Sequence, residues 1–466
     1  MELKGKKVFI FGLARSGAGA ANILSALGAD VTVTDKKPGD QLGGYTALLS
    51  PSIKTLLGSH PSHFNGTDLI VVSPGVPLTI EPLARARNAG IKIIGELELA
   101  YRIMKERGGP QAQGTDFLAV TGTNGKSTTT TLLDHMLRSS GFATLLGGNI
   151  GNALTEEISK TAGSQSAVDF VVVEVSSFQL ESIDTFRPRG ATILNITPDH
   201  LDRYRSLAEY AGTKANIFQN QGEGDFLVLN ADDPALRTVE QERLEAKSAR
   251  PEVFYFSRQK EVRGAYLREG LVRFHLPAIP SSFALDPSTF TIKGVHNLEN
   301  AMAASAMALL AGCGTEAVTD ALREFPGLEH RMEFVRELGG VNYVNDSKGT
   351  NVGAVLKSLE GIREPVVLIA GGRDKAGDFA QLRALVKERV KTLVLIGEAS
   401  EKIRQALGDV TETVTVSDLK EAVDVARGRA RPGEVVLLSP ACASFDMFRD
   451  FEDRGAQFKK IVRELR

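Results

Sequence analysis

Gly122-Thr123-Asn124-Gly125-Lys126-Ser127 brings two glycines, a lysine and a hydroxyl side chain together in one short run. That set suits a nucleoside triphosphate. Glycines let backbone N–H groups turn toward phosphate oxygens, the lysine neutralises the β- and γ-phosphates, and the serine hydroxyl ligates Mg²⁺. An apolar run at 117–120 precedes it and a helical pattern over 126–140 follows, so the phosphates would meet a helix N-terminus with its partial positive charge. The expected ATP contacts are Gly122, Thr123, Asn124, Gly125, Lys126, Ser127 and Thr128. One residue departs from the G-x-x-x-x-G-K-[ST] pattern: Val120 stands where the first glycine is usual.

A metal bound to such phosphates needs a carboxylate from a neighbouring strand. The run 169–174 is apolar and ends in Glu174, and the run 191–196 leads to Thr197-Pro198-Asp199-His200. Carboxyl ends of parallel strands are where α/β sheets bind ligands, so Lys126, Glu174 and His200 are expected at one end of one sheet. His200 could equally be structural. Near the N-terminus, Gly12-Leu13-Ala14-Arg15-Ser16-Gly17 follows an apolar run, and Asp35 closes the next one. This resembles a dinucleotide fingerprint, but Ala14 replaces the glycine that lets a pyrophosphate approach, which points to a nucleotide or diphosphate rather than to NAD. Ser73-Pro74-Gly75 ends a further apolar run and would line the same crevice.

The elements that must position these residues are legible as a series. Continuous β-branched runs recur at 8–11, 118–120, 170–173, 192–194, 366–369, 393–396 and 435–438, most of them followed by a turn and a helical pattern. Such runs read as strands buried on both faces, hence parallel sheets covered by helices, and the whole chain as α/β. A length of 466 residues calls for more than one domain. Gly/Gln-rich residues 107–114 and Phe325-Pro326-Gly327 mark two breaks. Three domains are expected: a Rossmann-like 1–96, a central P-loop ATPase-type 97–327 and a Rossmann-like 328–466. The stretch 245–290, with Pro277 and Pro280, reads as a small β excursion, and the Ala-rich 301–311 as a buried helix.

Composition excludes several classes. Hydrophobic residues make up 42% and charged residues 24%, the balance expected of a soluble globular protein, and a net charge of −2 offers no basic face for nucleic acid. No apolar stretch is long enough to span a membrane, and the first residues lack a signal-peptide pattern. Two cysteines, Cys313 and Cys442, cannot staple a chain this long, which suits a reducing cytoplasm.

Several motifs converge on one family. Together with 121–127, these are Glu174-Val-Ser-Ser-Phe-Gln-Leu-Glu181, Asn195-Ile-Thr-Pro-Asp-His200-Leu-Asp-Arg-Tyr204, Gly294-Val-His296-Asn297-Leu-Glu-Asn300, His330-Arg331, Asn345-Asp346-Ser347-Lys348-Gly349-Thr350-Asn351, Gly371-Gly372-Arg373-Asp374-Lys375 and Ser439-Pro-Ala-Cys-Ala-Ser444-Phe-Asp-Met-Phe-Arg-Asp-Phe451. In order and spacing the chain resembles the Mur ligases over its whole length, and among them the branch that adds D-glutamate.

The resemblance implies ATP, two Mg²⁺ sites, and the small-molecule substrates UDP-N-acetylmuramoyl-L-alanine and D-glutamate. It implies a monomer working in cytoplasmic peptidoglycan precursor synthesis, and thereby in cell-wall biogenesis, cell shape and cell division. It assigns catalysis to Lys126, Glu174, His200 and Lys214, and metal binding to Ser127, Glu174, His200 and Lys214, the last as a carbamate. By the same likeness Asn297, Asn300, Arg331 and Asp346 contact ATP. Arg15, Ser16, Asp35, Lys36, Ser73 and Asn149 surround the UDP moiety, and Lys348, Thr350, Lys375, Ser444 and Phe451 hold D-glutamate. Departures lie at Lys36 and Lys37, where Thr-Arg is the better-known pair, at Gly349 and at Arg373. The reaction implied is attack of a substrate carboxylate on the γ-phosphate, giving an acyl phosphate that the D-glutamate amine then opens. No residue is identified as the base for that amine. The competing readings are a sibling Mur ligase or folylpolyglutamate synthase, a P-loop switch or motor, and an NAD dehydrogenase.

Overall fold

A computed structural model describes residues 2–42, 44–107, 114–161, 167–200, 203–245, 248–374 and 377–466. The chain divides into two compact units, Met1–Phe290 with Glu299–Glu324, and Thr291–Leu298 with Phe325–Arg466. Three sheets organise them.

The first unit holds two sheets. Five parallel strands form one, in the order Lys54–Leu57, Asp30–Asp35, Lys7–Phe11, Leu69–Val72, Lys92–Gly95. The central strands are buried on both faces, as their unbroken apolar runs require. The second sheet has nine strands, and Asp116–Thr121 lies inside it between Phe170–Glu174 and Gly190–Ile193, all parallel. Phe226–Asn230 and Glu252–Ser257 continue it in parallel. Gly264–Arg268, Leu271–Phe274 and the short Ala284–Leu285 extend it further. The stretch 245–290 does carry short strands, as expected, and they extend the main sheet. Its strands pair edge to edge with the sheet that carries the phosphate loop.

The strand expected over 192–194 also ends earlier, at Ile193. Leu194 and Asn195 leave the ladder because their main chain bonds the phosphate loop instead: Leu194 N–H donates to Thr121 O at 3.0 Å, and Asn195 O accepts from Thr123 N–H at 2.9 Å.

Two helices deliver most of the chemistry in this unit. Lys126–Ser139 starts from Gly125 at φ 84°, a left-handed conformation that glycine adopts at little cost. A Cβ there would also lie 2.2 Å from Asn300 Oδ1. Leu207–Ala215 is capped by Ser206, whose hydroxyl accepts from Glu209 N–H, and it buries Tyr210, Ala211 and Lys214. A three-residue 3₁₀ turn, Asn216–Phe218, follows it directly. The Ala-rich helix Val295–Leu310 is buried from Asn300 to Leu309.

The second unit carries a six-stranded sheet in the order Glu333–Leu338, Val341–Asn345, Val435–Leu438, Val366–Gly371, Val390–Ile396, Glu412–Thr415. Only its first pair is antiparallel. The core lies on both faces, under helices such as Leu419–Arg429 and Phe451–Glu464. Among the described residues no helix is long and apolar enough to cross a membrane. Both cysteines are buried, and among the described residues neither forms a disulfide.

Candidate active site

The corner around the phosphate loop is built on one carbonyl. Gly122 O accepts from Lys126 Nζ at 2.9 Å and from Lys214 Nζ at 2.9 Å. Lys126 also reaches Thr123 O at 2.7 Å. Two lysines on one acceptor is an electrostatic conflict, and burial decides it. Lys214 is only 1% exposed. Desolvation, reinforced by the charge of Lys126, holds its amine well below the usual lysine range, against smaller opposing effects of Asp199 and Glu174. Its Nζ lies 4.6 Å from the centre of the Tyr210 ring. Burial pushes the Tyr210 hydroxyl up to about 12, so it stays protonated.

Glu174 ends its strand fully buried. Its Oε1 accepts from Asn149 Nδ2 at 2.7 Å, while its Oε2 is buried with no hydrogen-bond partner among the described residues. An orphaned buried carboxylate oxygen is costly unless something cationic joins it. Ser127, in the first turn of the phosphate-loop helix, is buried too. Among the described residues no three His, Cys, Asp or Glu side chains form a ready cage. The donors fit a Mg²⁺ that takes most of its oxygens from phosphate, hydroxyl and water, as this ion ordinarily does.

His200 has a positive φ of 53° and a side chain 43% exposed. Its ring meets Phe178 edge-on at 4.8 Å, and its Nε2 lies 3.7 Å from Asp199 Oδ2. Behind it, Glu181 accepts from both Arg203 and the Tyr204 hydroxyl, and the Arg203 guanidinium covers the Phe178 face at 4.3 Å. This cluster stiffens the His200 loop. Asn300 reaches the same helix, its Oδ1 lying 3.2 Å from Thr129 Oγ1, whereas Asn297 Nδ2 donates to Lys293 O at 2.9 Å.

The residues expected around UDP lie at the carboxyl ends of the five-stranded sheet. Asp35 accepts from the N–H groups of Leu13 (2.7 Å) and Lys37 (2.9 Å), which pins the turn after the first strand. Ser73 Oγ donates to Gly12 O at 2.8 Å. A Cβ on Gly17 would lie 2.0 Å from Gly12 O, so this turn requires glycine there. Arg15 bonds Gly151 O, Ser16 lies in the first turn of the helix Arg15–Ala26, and Lys36 is exposed. Asn149 lies apart from this group, after the strand Thr144–Gly148 of the nine-stranded sheet, where its amide holds Glu174.

In the second unit, Asp346 is fully buried. Its Oδ2 accepts from Ser358 Oγ and Ser439 Oγ at 2.7 Å each, and its Oδ1 from Met332 N–H at 3.3 Å. Burial raises its pKa, while these bonds and the charge of Arg331 oppose the rise. Lys348 Nζ stands 3.6 Å from the centre of the Phe451 ring, and Ser347 Oγ donates to Phe451 O at 2.8 Å. Thr350 N–H bonds Lys348 O at 2.7 Å, and Ser444 is buried. Lys375 lies outside the described residues. Arg373 pairs with Glu398 at the surface.

Two contributors were not legible in the sequence. Arg454, 0% exposed, donates to Ser347 Oγ and Ser347 O at 2.9 Å and to Cys442 O at 3.3 Å, tying together the loops that carry Lys348 and Ser444. Its only signal was a position one helical turn after Phe451. Asn195 was visible only as the first letter of a motif.

Comparison with known proteins agrees with this geometry. Family models match residues 6–95 as "Mur ligase MurD-like, N-terminal domain", 120–308 as "Mur ligase middle domain" and 330–442 as "Mur ligase, glutamate ligase domain". A protein of Geotalea daltonii named UDP-N-acetylmuramoylalanine–D-glutamate ligase is 47% identical over 100% of this chain and 99% of its own length. One of the same name from Geobacter sp. (strain M21) is 47% identical over 99% and 98%. In fold, the chain is similar to MurF from Acinetobacter baumannii (TM-score 0.62, 16% identity, 97% and 93% covered). It is similar also to UDP-N-acetylmuramate-alanine ligase MurC from Thermotoga maritima (TM-score 0.60, 19% identity, 98% and 99% covered). The orphaned Glu174 oxygen, the paired lysines on Gly122 O and these full-length likenesses agree: the chain belongs to the Mur ligase family.

Proposed function

We propose that this chain joins D-glutamate to the L-alanine carboxylate of UDP-N-acetylmuramoyl-L-alanine, converting ATP to ADP and phosphate. The whole-length relatives bearing the D-glutamate ligase name support the substrate pair. The observation that carries the chemistry is the sharing of Gly122 O by the half-buried Lys126 and the buried Lys214.

A carboxylate and an ATP γ-phosphate are both anions, so the first step is opposed by charge. Lys126, already at the loop, turns from the Gly122 and Thr123 carbonyls to the phosphates and neutralises part of that repulsion. Mg²⁺, held by Ser127 and Glu174 at one site and by His200 at a second, would supply the rest of the positive charge. Lys214 is a poor second cation there, since burial holds its amine well below the usual lysine range and favours the neutral form. A neutral amine is the form that adds CO₂: its nitrogen lone pair forms the N–C bond, one proton leaves, and an anionic carbamate results. That carbamate would face the metal side of the corner. The phosphorylated substrate carboxyl is then attacked by the D-glutamate amine, and phosphate departs.

Lys348 over Phe451, Thr350, Ser444 and Lys375 would bind the D-glutamate carboxylates, and Asn297, Asn300, Arg331 and Asp346 would contact ATP. Arg15, Ser16, Asp35, Lys36 and Ser73 would hold the UDP moiety. A cytoplasmic monomer is part of this reading.

An ADP-release assay tests it. Release should require ATP, UDP-N-acetylmuramoyl-L-alanine and D-glutamate together. Release with folate and L-glutamate instead, or with ATP alone, would contradict the proposal.

A further inference from the structure

The phosphate loop is hydrogen-bonded to the end of the neighbouring strand. Asn195 faces it with its whole amide: Oδ1 accepts from Asn124 N–H at 2.9 Å and Nδ2 donates to Asn124 O at 3.1 Å. Its main-chain oxygen takes Thr123 N–H at 2.9 Å. Two residues on, Thr197 N–H donates to Thr123 Oγ1 at 3.0 Å, and Thr123 Oγ1 lies 3.2 Å from Thr197 O. A primary amide bonding both the N–H and the C=O of one residue acts as a strand partner would, in a place where the strand itself has ended at Ile193. The loop approaches this neighbour closely. A Cβ on Gly122, at φ 151°, would lie 3.0 Å from Leu194 Cβ.

We infer that Asn195 is the positioning residue of the phosphate loop, locking Thr123 and Asn124 to the strand end so that the loop is formed before ATP arrives. The clamp has a direct consequence for the lysines. Fixing Thr123 also fixes the Gly122 carbonyl just before it, the acceptor that Lys126 and Lys214 share. It also sets aside the Thr123 and Asn124 amides as scaffold rather than as phosphate donors. This accounts for a loop that lacks the first glycine of the usual pattern: with Val120 inside the strand, the chain does not wrap the phosphates from so far back. A preformed loop loses less conformational entropy on binding, so removing the clamp should weaken nucleotide binding without weakening the fold as a whole.

The inference rests on the ATP reading above. The test compares wild type, Asn195→Ala and the volume-matched Asn195→Leu by calorimetric titration with Mg²⁺-ADP and, separately, with UDP-N-acetylmuramoyl-L-alanine. Loss of the two side-chain bonds should weaken ADP binding about tenfold in both variants. Affinity for the UDP-sugar should stay near the wild-type value, with the melting temperature little changed. Unchanged ADP affinity, or equal weakening of both ligands, would overturn it. Residue-resolved hydrogen exchange on the wild type gives a reading independent of any variant. The Thr123 and Asn124 amides should be protected without nucleotide and gain little when ADP binds, and fast exchange at both in the nucleotide-free protein would equally overturn it. Failure of the wild type to bind ADP at all would instead overturn the ATP reading.

Discussion

Lys214 in the first unit and Arg454 in the second are both basic side chains almost completely buried, 1% and 0% exposed, and among the described residues neither is paired with a carboxylate. Their fates differ. Lys214 has one carbonyl, the face of Tyr210 and a like-charged neighbour, and its amine is driven toward the neutral form. Arg454 has a hydroxyl and two carbonyls matched to its forked donors. Burial lowers it only to about 10, so it keeps its charge. Burial by itself therefore does not decide what a buried cation does. Intrinsic basicity and the number of fixed acceptors decide it, and arginine has the advantage in both. One site produces a nucleophilic amine beside a phosphate loop; the other produces a brace between two loops.

Exchanging the properties of the two side chains should break each site in its own way. The largest effect is expected at Lys214. Lys214→Ala should lower the rate of ADP release about a thousandfold, the scale seen when a group that stabilises developing charge is removed. Lys214→Arg should be as inactive, because a guanidinium keeps its proton and forms no carbamate. Stability should move the other way. The native amine sits below its unfolded value, so the native state binds fewer protons and stability rises with pH through the window up to the ordinary lysine range. Lys214→Met should therefore be more stable than wild type below that window, read from thermal melts across pH.

Arg454→Lys comes next. It keeps a charge but loses the fork, and should cost about 2–3 kcal/mol in denaturant unfolding while raising the KM for D-glutamate more than that for ATP. Gly455→Ala should cost about 1–3 kcal/mol, because its Cβ would lie 2.2 Å from His330 Nδ1 in a packed contact. The smallest effect is at Glu96, fully buried where the helix Glu96–Arg107 meets Thr155, with one oxygen lacking a hydrogen-bond partner among the described residues. Burial raises its pKa, so the native state holds the proton longer than the unfolded chain, and stability falls as pH rises from the usual carboxylate value through the raised one. Glu96→Gln should melt higher than wild type above that window, and a gain that appears only at acid pH would contradict this.

The comparison also explains what the sequence disclosed. Residues that act through main-chain geometry were legible, because glycines and a lysine at fixed spacing after an apolar run leave few alternatives. Gly125 at φ 84° and Lys126 at the helix start are examples. Glu174 was legible as the last residue of an apolar strand. Lys214 was not: in sequence it is an ordinary helix lysine, and only the family likeness singled it out. Its burial depends on the long-range approach of Gly122, 92 positions away. Arg454 and Asn195 escaped for the same reason, since their partners lie in other loops. The strands of 245–290 were legible as a small β excursion, but local turn and proline signals do not reveal which edge a strand will join.

The central proposal is that the buried Lys214 amine, its basicity lowered by desolvation, takes up CO₂. Carbon-13 NMR of the nucleotide-free enzyme in ¹³C-bicarbonate tests this directly. The account predicts a carbamate carbon signal that is absent from Lys214→Ala and persists in Lys126→Ala, where the repelling charge is gone but burial remains. A wild-type spectrum without that signal, or one unchanged by Lys214→Ala, would contradict it.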